Sequence, residues 1–196
     1  MKKTTVTVSH EYGSGGRMIG KKLAEELGFT FYDGELLSLV AKESGYTEEF
    51  VRQNDQKKTQ SFLYHLYVGS QLLPASDMIF IAQAKAIKDL AQKGNCVIVG
   101  RCADYVLRGY EDVTNLFIHA PFESRAARIR DEYGEKADNY TAYLRKKDKE
   151  RAAYYNYFAD DAWGHAQSYD LALNSDIGID AAVKLAAEYI RIKQKD

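Results

Sequence analysis

The sequence predicts an α/β fold, a five-stranded parallel sheet with helices on both faces. Three observations carry this reading. Short β-branched or wholly apolar runs alternate along the chain with longer stretches of helical spacing, the pattern of a doubly wound sheet with right-handed crossovers. Cys96-Val97-Ile98-Val99 is continuously apolar, as expected of a strand covered on both faces. A glycine cluster lies between the first strand and the first helix. Only 2 Pro accompany 14 Gly in 196 residues, which fits long helices punctuated by a few glycine loops.

The elements follow in order. Thr4 to Ser9 (TTVTVS) is β-branched and reads as a buried first strand that enters the glycine cluster. Ile19, Leu23, Ala24 and Leu27 recur at helical spacing, with Gly28 placed as the C′ residue. Phe29 to Tyr32 is a short second strand, and Asp33 can cap a helix carrying Leu36, Leu37, Val40 and Ala41 up to Gly45. Thr47 can cap another helix, with Tyr46 and Val51 as its staple, and Ser61 to Leu73 is aromatic and weakly periodic. Ile79, Ala82, Ala86, Ile87 and Leu90 make a helix closed by Gly94, after which comes the third strand, ending in Gly100-Arg101. Val113 to Ala120 is the fourth strand, and Pro121 opens a helix through Tyr133 that Gly134 ends. A charged, tyrosine-rich stretch from Tyr140 to Trp163 precedes a short fifth strand, Leu171 to Leu173. Ile179, Val183, Ala186, Ala187 and Ile190 give the last helix. No internal repeat interrupts this order, so residues 1–196 read as one domain.

Composition narrows the function classes. With 27 Lys plus Arg against 28 Asp plus Glu and a net charge of −1, the chain lacks the basic surface of a sequence-blind nucleic-acid binder. It has no run of about 18 apolar residues to cross a membrane, and its first residues lack the apolar centre of a signal peptide, so a cytoplasmic location is expected. Cys96 and Cys102 are too few for a zinc site or a disulfide framework, and Cys96 reads as a buried strand residue. The four histidines, His10, His65, His119 and His165, show no ligand spacing.

The glycine cluster carries the chemistry. A dinucleotide fingerprint starting at Gly13 and Gly15 fails at Met18, where a third glycine is needed. A phosphate loop running from Gly15 to Gly20-Lys21 matches literally up to Lys22, but puts Met18 and Ile19 in the cradle and leaves only about two helical turns before Gly28. We prefer the earlier register. Gly13-Ser14-Gly15-Gly16 directly follows the strand, with Arg17 at the helix start, so backbone N–H groups free of side chains meet the positive end of a helix dipole. Arg17 then offers a forked cation where such loops ordinarily carry lysine.

Ser9-His10-Glu11-Tyr12-Gly13-Ser14-Gly15-Gly16-Arg17-Met18-Ile19-Gly20, Phe31-Tyr32-Asp33, and Val97 to Tyr105 (VIVGRCADY) resemble the cytidylate-kinase-like family of P-loop nucleoside monophosphate kinases. Phe117-Ile118-His119-Ala120-Pro121, the block Asp148 to Tyr155, Trp163-Gly164 and Tyr169-Asp170-Leu171 extend the resemblance over nearly the whole chain. It implies a five-stranded core, an acceptor-binding region (helices at about 34–76), a mobile lid (about 135–165), ATP as co-substrate and Mg²⁺. Typical members carry Gly-Lys and a hydroxyl residue at the end of the loop. In the preferred register Gly16 stands at the lysine position and Met18 at the hydroxyl position.

Phosphoryl transfer needs two anions brought in line, water excluded, and spreading negative charge met by cations and N–H groups. Arg101 lies just past the carboxyl end of the third strand, where open α/β sheets bind ligands. The resemblance implies that it holds the acceptor's phosphate, with Asp104 contacting base or sugar. Asp33 can position a Mg²⁺-bound water or the acceptor, or simply cap its helix. With Met18 in the hydroxyl position, Mg²⁺ would rest mainly on nucleotide phosphates, waters and an outer-shell carboxylate. Leu144 to Arg151 (LRKKDKER) carries a local charge of +3 and reads either as a solvated helix with internal ion pairs or as a lid whose arginines close over the phosphates. For the second reading Arg145 and Arg151 are favoured over the lysines, since guanidinium forks match phosphate oxygens. Arg125 and Arg128 can join them. Six of the fifteen tyrosines (Tyr140, Tyr143, Tyr154, Tyr155, Tyr157, Tyr169) lie in or beside this segment, to pack it or to stack on a base.

The expectation is ATP-dependent phosphoryl transfer to a small acceptor, with CMP or dCMP leading. The missing lysine and hydroxyl leave open a nucleotide-binding regulatory protein without turnover, and a kinase for another small metabolite also remains. Residues 46–76 are expected to serve the acceptor or a homodimer contact.

Overall fold

The structure, a computed structural model, describes residues 3–33, 75–159 and 161–195. The helices expected at 36–44 and from Thr47, and the aromatic stretch 61–73, lie outside the described residues. Five strands, β1 (Thr5–His10), β2 (Thr30–Tyr32), β3 (Cys96–Val99), β4 (Val113–His119) and β5 (Leu171–Asn174), form one all-parallel sheet in the order β2-β3-β1-β4-β5. The described helices are α1 (Gly16–Leu27), α2 (Ala75–Lys93), α3 (Ala103–Val106), α4 (Phe122–Asp131), α5 (Tyr140–Phe158) and α6 (Ile179–Lys193), with short 3₁₀ turns flanking β5. The chain thus has the expected five-stranded α/β fold.

Strand periodicity decides which helix meets which face, because successive side chains point to opposite sides. Val6 and Val8 of β1, Val97 and Val99 of β3, and Leu116 and Ile118 of β4 pack on Ile19 and Leu23 of α1 and Val183, Ala186, Ala187 and Ile190 of α6. On the opposite face Cys96 and Ile98 meet Ile79, Ala86, Ile87 and Leu90 of α2 and Ala103, Val106 and Leu107 around α3. Burial of each large side chain contributes about 1.5–3 kcal/mol. α1 lies close against the sheet because residue 20 is glycine: a Cβ there would stand 2.8 Å from Val99 Cγ2.

The alternation has a second consequence. The odd residues of β1 are polar, Thr5, Thr7 and Ser9, and all are buried. They satisfy the rule that buried polar groups find partners: Thr7 donates to Asn115 Oδ1 at 2.7 Å and Ser9 hydrogen-bonds Asp104. The even register places His10, the last residue of β1, on the α1 face directly beneath Gly16.

Candidate functional site

The carboxyl ends of β1 and β3 are adjacent, and the chain leaves them in different directions, to α1 on one face of the sheet and to α3 on the other. Such a divergence opens a crevice where doubly wound sheets bind ligands. A cavity of about 410 Å³ lies there, between the β1–α1 loop, Asp33 after β2, Gly100 to Cys102 after β3, and α5. That volume is in the range of small-ligand sites.

The loop from Glu11 to Gly16 is built for close approach. Gly13 and Gly15 have φ values of 77° and 80°, left-handed backbone that glycine adopts without strain. A Cβ on Gly16 would fall 2.4 Å from Cβ and Cγ of His10, and one on Gly13 would fall 2.9 Å from the Arg125 carbonyl oxygen. Ser14 turns inward, fully buried, its hydroxyl donating to the Glu11 carbonyl at 2.9 Å while its own carbonyl accepts from Ser175 at 2.5 Å. α1 begins at Gly16, so its first N–H groups have no intrahelical acceptor and its positive dipole end faces the loop. Gly13-Ser14-Gly15-Gly16 is therefore the strand-to-helix turn. Lys21, the end of the alternative register, is exposed in the second turn of α1, where its neighbour Lys22 pairs with Asp180 at 2.5 Å.

Side chains from α4 and α5 hold the main chain of this loop. Asp148 Oδ1 accepts the Tyr12 N–H at 2.9 Å. Arg125 donates to the Tyr12 carbonyl at 3.3 Å and to Asp148 Oδ2 at 2.6 Å, while Arg128 donates to the Gly13 carbonyl at 2.7 Å. Arg151 donates to the His10 carbonyl at 2.7 Å and lies 5.1 Å from the Tyr12 ring centre. Burial lowers the pKa of Arg151, with Asp148 opposing that shift and Arg101 adding to it. Arg101 and Arg151 both line the cavity, so two cations converge on it. Burial, reinforced by Arg151, lowers His10 from its ordinary value to about 3, so its imidazole is neutral in the folded protein.

Not all of the sequence-predicted site residues share the cavity. Gly13, Arg17, Asp33, Arg101 and Arg151 line it, together with Met18. Arg17 Nε and Asp33 Oδ2 pair at 2.5 Å, tying the start of α1 to the residue that follows β2. Arg101 and Cys102 continue a left-handed turn from Gly100, with φ of 60° and 55° after 75°. Such backbone costs roughly 1–2 kcal/mol per non-glycine residue; here it is held by Cys102, buried against Tyr155 and Ala159 of α5. Ser14, Gly15 and Gly16 are buried beneath the cavity wall and do not line it.

Arg145 is exposed on α5 and is not a lining residue. The buried residues Leu144 and Tyr155 fix the inward face of the helix, and Arg145 is turned about 100° from Leu144. Asp104 is 5% exposed and stands behind the cavity wall rather than on it. It accepts from Tyr155 Oη at 2.9 Å. Burial raises its pKa, an effect opposed by the hydrogen bonds of Tyr155, of the Asp104 and Tyr105 N–H groups and of Ser9. In this arrangement Asp104 docks α5 onto the end of β1.

His10, Tyr12, Tyr133, Glu135 and Trp163, given no role from the sequence, also line the cavity, and so do Tyr154 and Tyr155 of the tyrosine-rich segment. Among the described residues no group of three or more His, Cys, Asp or Glu side chains can hold a metal ion, and no described helix is long and apolar enough to cross a membrane.

The all-parallel 2-3-1-4-5 sheet, the glycine loop after its central strand and the cations gathered beyond it define a P-loop kinase type of α/β protein. The model of the cytidylate kinase-like family matches residues 5–177, and the chain belongs to that family, among kinase-like phosphotransferases. It is 28% identical over 198 residues to a cytidylate kinase of Pyrococcus horikoshii, covering 96% of this chain and 90% of that one. It is similar in structure to an uncharacterised protein from Eubacterium ventriosum (TM-score 0.74, 26% identity, 96% of this chain and 99% of that one). A shikimate kinase from Bacteroides thetaiotaomicron shares the fold at 13% identity (TM-score 0.59, 96% and 98% covered).

Proposed function

We propose that the protein transfers the γ-phosphoryl group of ATP to a small acceptor, with a nucleoside monophosphate such as CMP or dCMP the leading candidate. The observation that carries this reading is the convergence of Arg17, Arg101 and Arg151 on one cavity beside a glycine loop at a helix N-terminus. Electrostatic stabilisation by fixed cations and N–H groups is the main demand of phosphoryl transfer. The cytidylate kinase relative supports the choice of acceptor.

In this reading the donor's phosphates enter at Gly13 and Arg17, which line the cavity, and reach the N–H groups of Gly15, Gly16 and the first turn of α1 once the wall over them shifts, while Arg17 supplies the charge of the absent loop lysine. Arg101 binds the acceptor's phosphate, and Arg151 meets the charge that spreads in transfer. Trp163 and Tyr154 offer aromatic faces to a base. Mg²⁺ fits as an ion carried by the nucleotide's phosphates and water, with Asp33 the nearby carboxylate, because Met18 offers it no oxygen. Asp104 acts on the acceptor only through the placement of Tyr155, and Arg145 contributes long-range charge.

The test is ADP formation from Mg-ATP with a panel of nucleoside monophosphates, and with small hydroxyl and carboxyl metabolites beside them. Acceleration by CMP or dCMP above the others is the expected result. Tight ATP binding with no turnover on any acceptor would favour a nucleotide-binding regulatory protein instead.

A further inference from the structure

A carboxylate projects into the same cavity with more donors than a surface glutamate ordinarily gathers. Glu135, in the turn after α4, lines the cavity beside Tyr12 and Arg151. Its Oε1 accepts from Tyr12 Oη at 2.6 Å and its Oε2 from Tyr143 Oη at 2.6 Å. The two rings meet edge to face, 6.0 Å between centres. Lys147 Nζ stands over both of them, 5.5 Å from the Tyr12 ring centre and 5.4 Å from that of Tyr143. The backbone fixes the carboxylate in this position: the Glu135 N–H donates to the Ile129 carbonyl at 3.1 Å, and its carbonyl accepts from Tyr140 Oη at 3.1 Å. Partial burial works against ionisation, but the hydrogen bonds of Tyr12 and Tyr143 and the charge of Lys147 hold the Glu135 carboxyl below its ordinary value.

We infer that Glu135 is an internal anion standing in a phosphate subsite made by the Tyr12 and Tyr143 hydroxyls and the Lys147 ammonium, and that the phosphate chain of a nucleoside triphosphate displaces it on binding. Two hydroxyl donors on one anion, with an ammonium over both of their rings, form a set that a phosphate oxygen satisfies equally well. The subsite adjoins the loop, since Tyr12 immediately precedes Gly13. A negative phosphate chain arriving there meets Glu135 as a like charge in a partly desolvated site, where repulsion is larger than in water. This inference rests on the proposed binding of ATP at this loop, and it assigns Lys147, which stands over the Tyr12 and Tyr143 rings, as a second cation that α5 contributes to the donor.

The experiment measures the affinity of a non-hydrolysable ATP analogue with Mg²⁺ by calorimetry for the wild type, Glu135→Gln, Glu135→Ala, Tyr12→Phe, Tyr143→Phe and Lys147→Met. Displacement predicts that both Glu135 variants bind fivefold or more tightly than the wild type, and that the Tyr and Lys variants bind several-fold more weakly. Adding Lys147→Met to Glu135→Gln should cancel the gain. A purely structural latch gives no gain, with Glu135→Gln unchanged and Glu135→Ala weaker, and either result overturns the inference. Thermal unfolding of each variant identifies loss of fold, and Glu135→Gln, whose amide oxygen accepts from one hydroxyl while its N–H donates to the oxygen of the other, decides the question if Glu135→Ala does not fold. Absence of binding by the wild type overturns the reading of the loop as an ATP site, whereas binding by the wild type that Glu135→Gln fails to strengthen overturns only the displacement.

Discussion

Asp148 Oδ1 accepts the main-chain N–H of Tyr12 at 2.9 Å, across 136 residues of sequence. Its other oxygen holds Arg125, which donates in turn to the Tyr12 carbonyl. The conformation of the glycine loop is therefore set by α4 and α5 as well as by its own glycines, and loop and helix respond together to a change in either. Asp148→Ala removes the closest ion partner of an Arg125 side chain that is 9% exposed, leaving Glu11 at 3.5 Å. Breaking a buried pair in this way costs about 3 kcal/mol, which in a chain of this size lowers Tm by roughly 6–12 °C. Calorimetric unfolding checks the value, and a change within about 1 °C would show that the contact carries no stability.

Arg17 and Lys21 separate the two registers of the glycine loop. Arg17 lines the cavity, whereas Lys21 is exposed on α1. Arg17→Ala should weaken ATP binding or turnover roughly tenfold or more, a loss of about 1.4 kcal/mol, and Lys21→Ala should do much less. Steady-state kinetics with ATP varied is the measurement, and the reverse ranking would restore the register that ends at Lys21.

Arg101→Ala should raise the acceptor KM or lower turnover while leaving ATP affinity nearly intact, since Arg101 leaves the sheet after β3 and the glycine loop after β1. The readout is KM for each substrate beside the dissociation constant of an ATP analogue. Loss of ATP affinity would refute the assignment to the acceptor.

His10 gives the protein an acid sensitivity whose sign is fixed. Its folded pKa of about 3 lies below the ordinary value of 6.5, so between those limits the unfolded chain binds a proton that the native state does not. Stability from this group is full above pH 6.5 and falls as the pH drops toward 3. Urea midpoints at pH 7 and pH 5 should differ in that direction, and His10→Gln should reduce the difference. A pH dependence unchanged in that variant would place the sensitivity elsewhere.

How much of this was legible in the sequence depends on the range of the signal. The sheet was legible because its signal is local: TVTVS alternates, CVIV is continuous, and Gly28 ends its helix. The position of the loop was legible because glycine tolerates left-handed backbone that other residues resist. What escaped was whatever depends on the packing of α4 and α5 onto the loop. Three-and-four spacing alone puts Arg145, Asp148 and Lys149 on one face, but the inward face runs Leu144, Asp148, Arg151, Tyr155. The apolar pair Leu144 and Tyr155 was the available clue, and it turns Arg145 outward. The family resemblance implies Asp104 as an acceptor ligand beside Arg101. Its partners, Ser9 and Tyr155, come from elements 95 residues before it and 51 after it, which no local pattern reveals. Glu135 carries no motif at all, and His10, although it lies in the Ser9 to Gly20 stretch, shows nothing in its spacing that marks its burial.

The central claim is that the turn from Gly13 to Gly16 receives the donor's phosphates. A crystal structure of the protein with Mg²⁺ and a non-hydrolysable ATP analogue tests it most directly. The account predicts the phosphate chain against the main-chain N–H groups of Gly13 to Arg17, with Arg17 and Arg151 within hydrogen-bond reach of its oxygens. Phosphates seated instead on the Lys21 side of α1, or away from the cavity between β1 and β3, would contradict it.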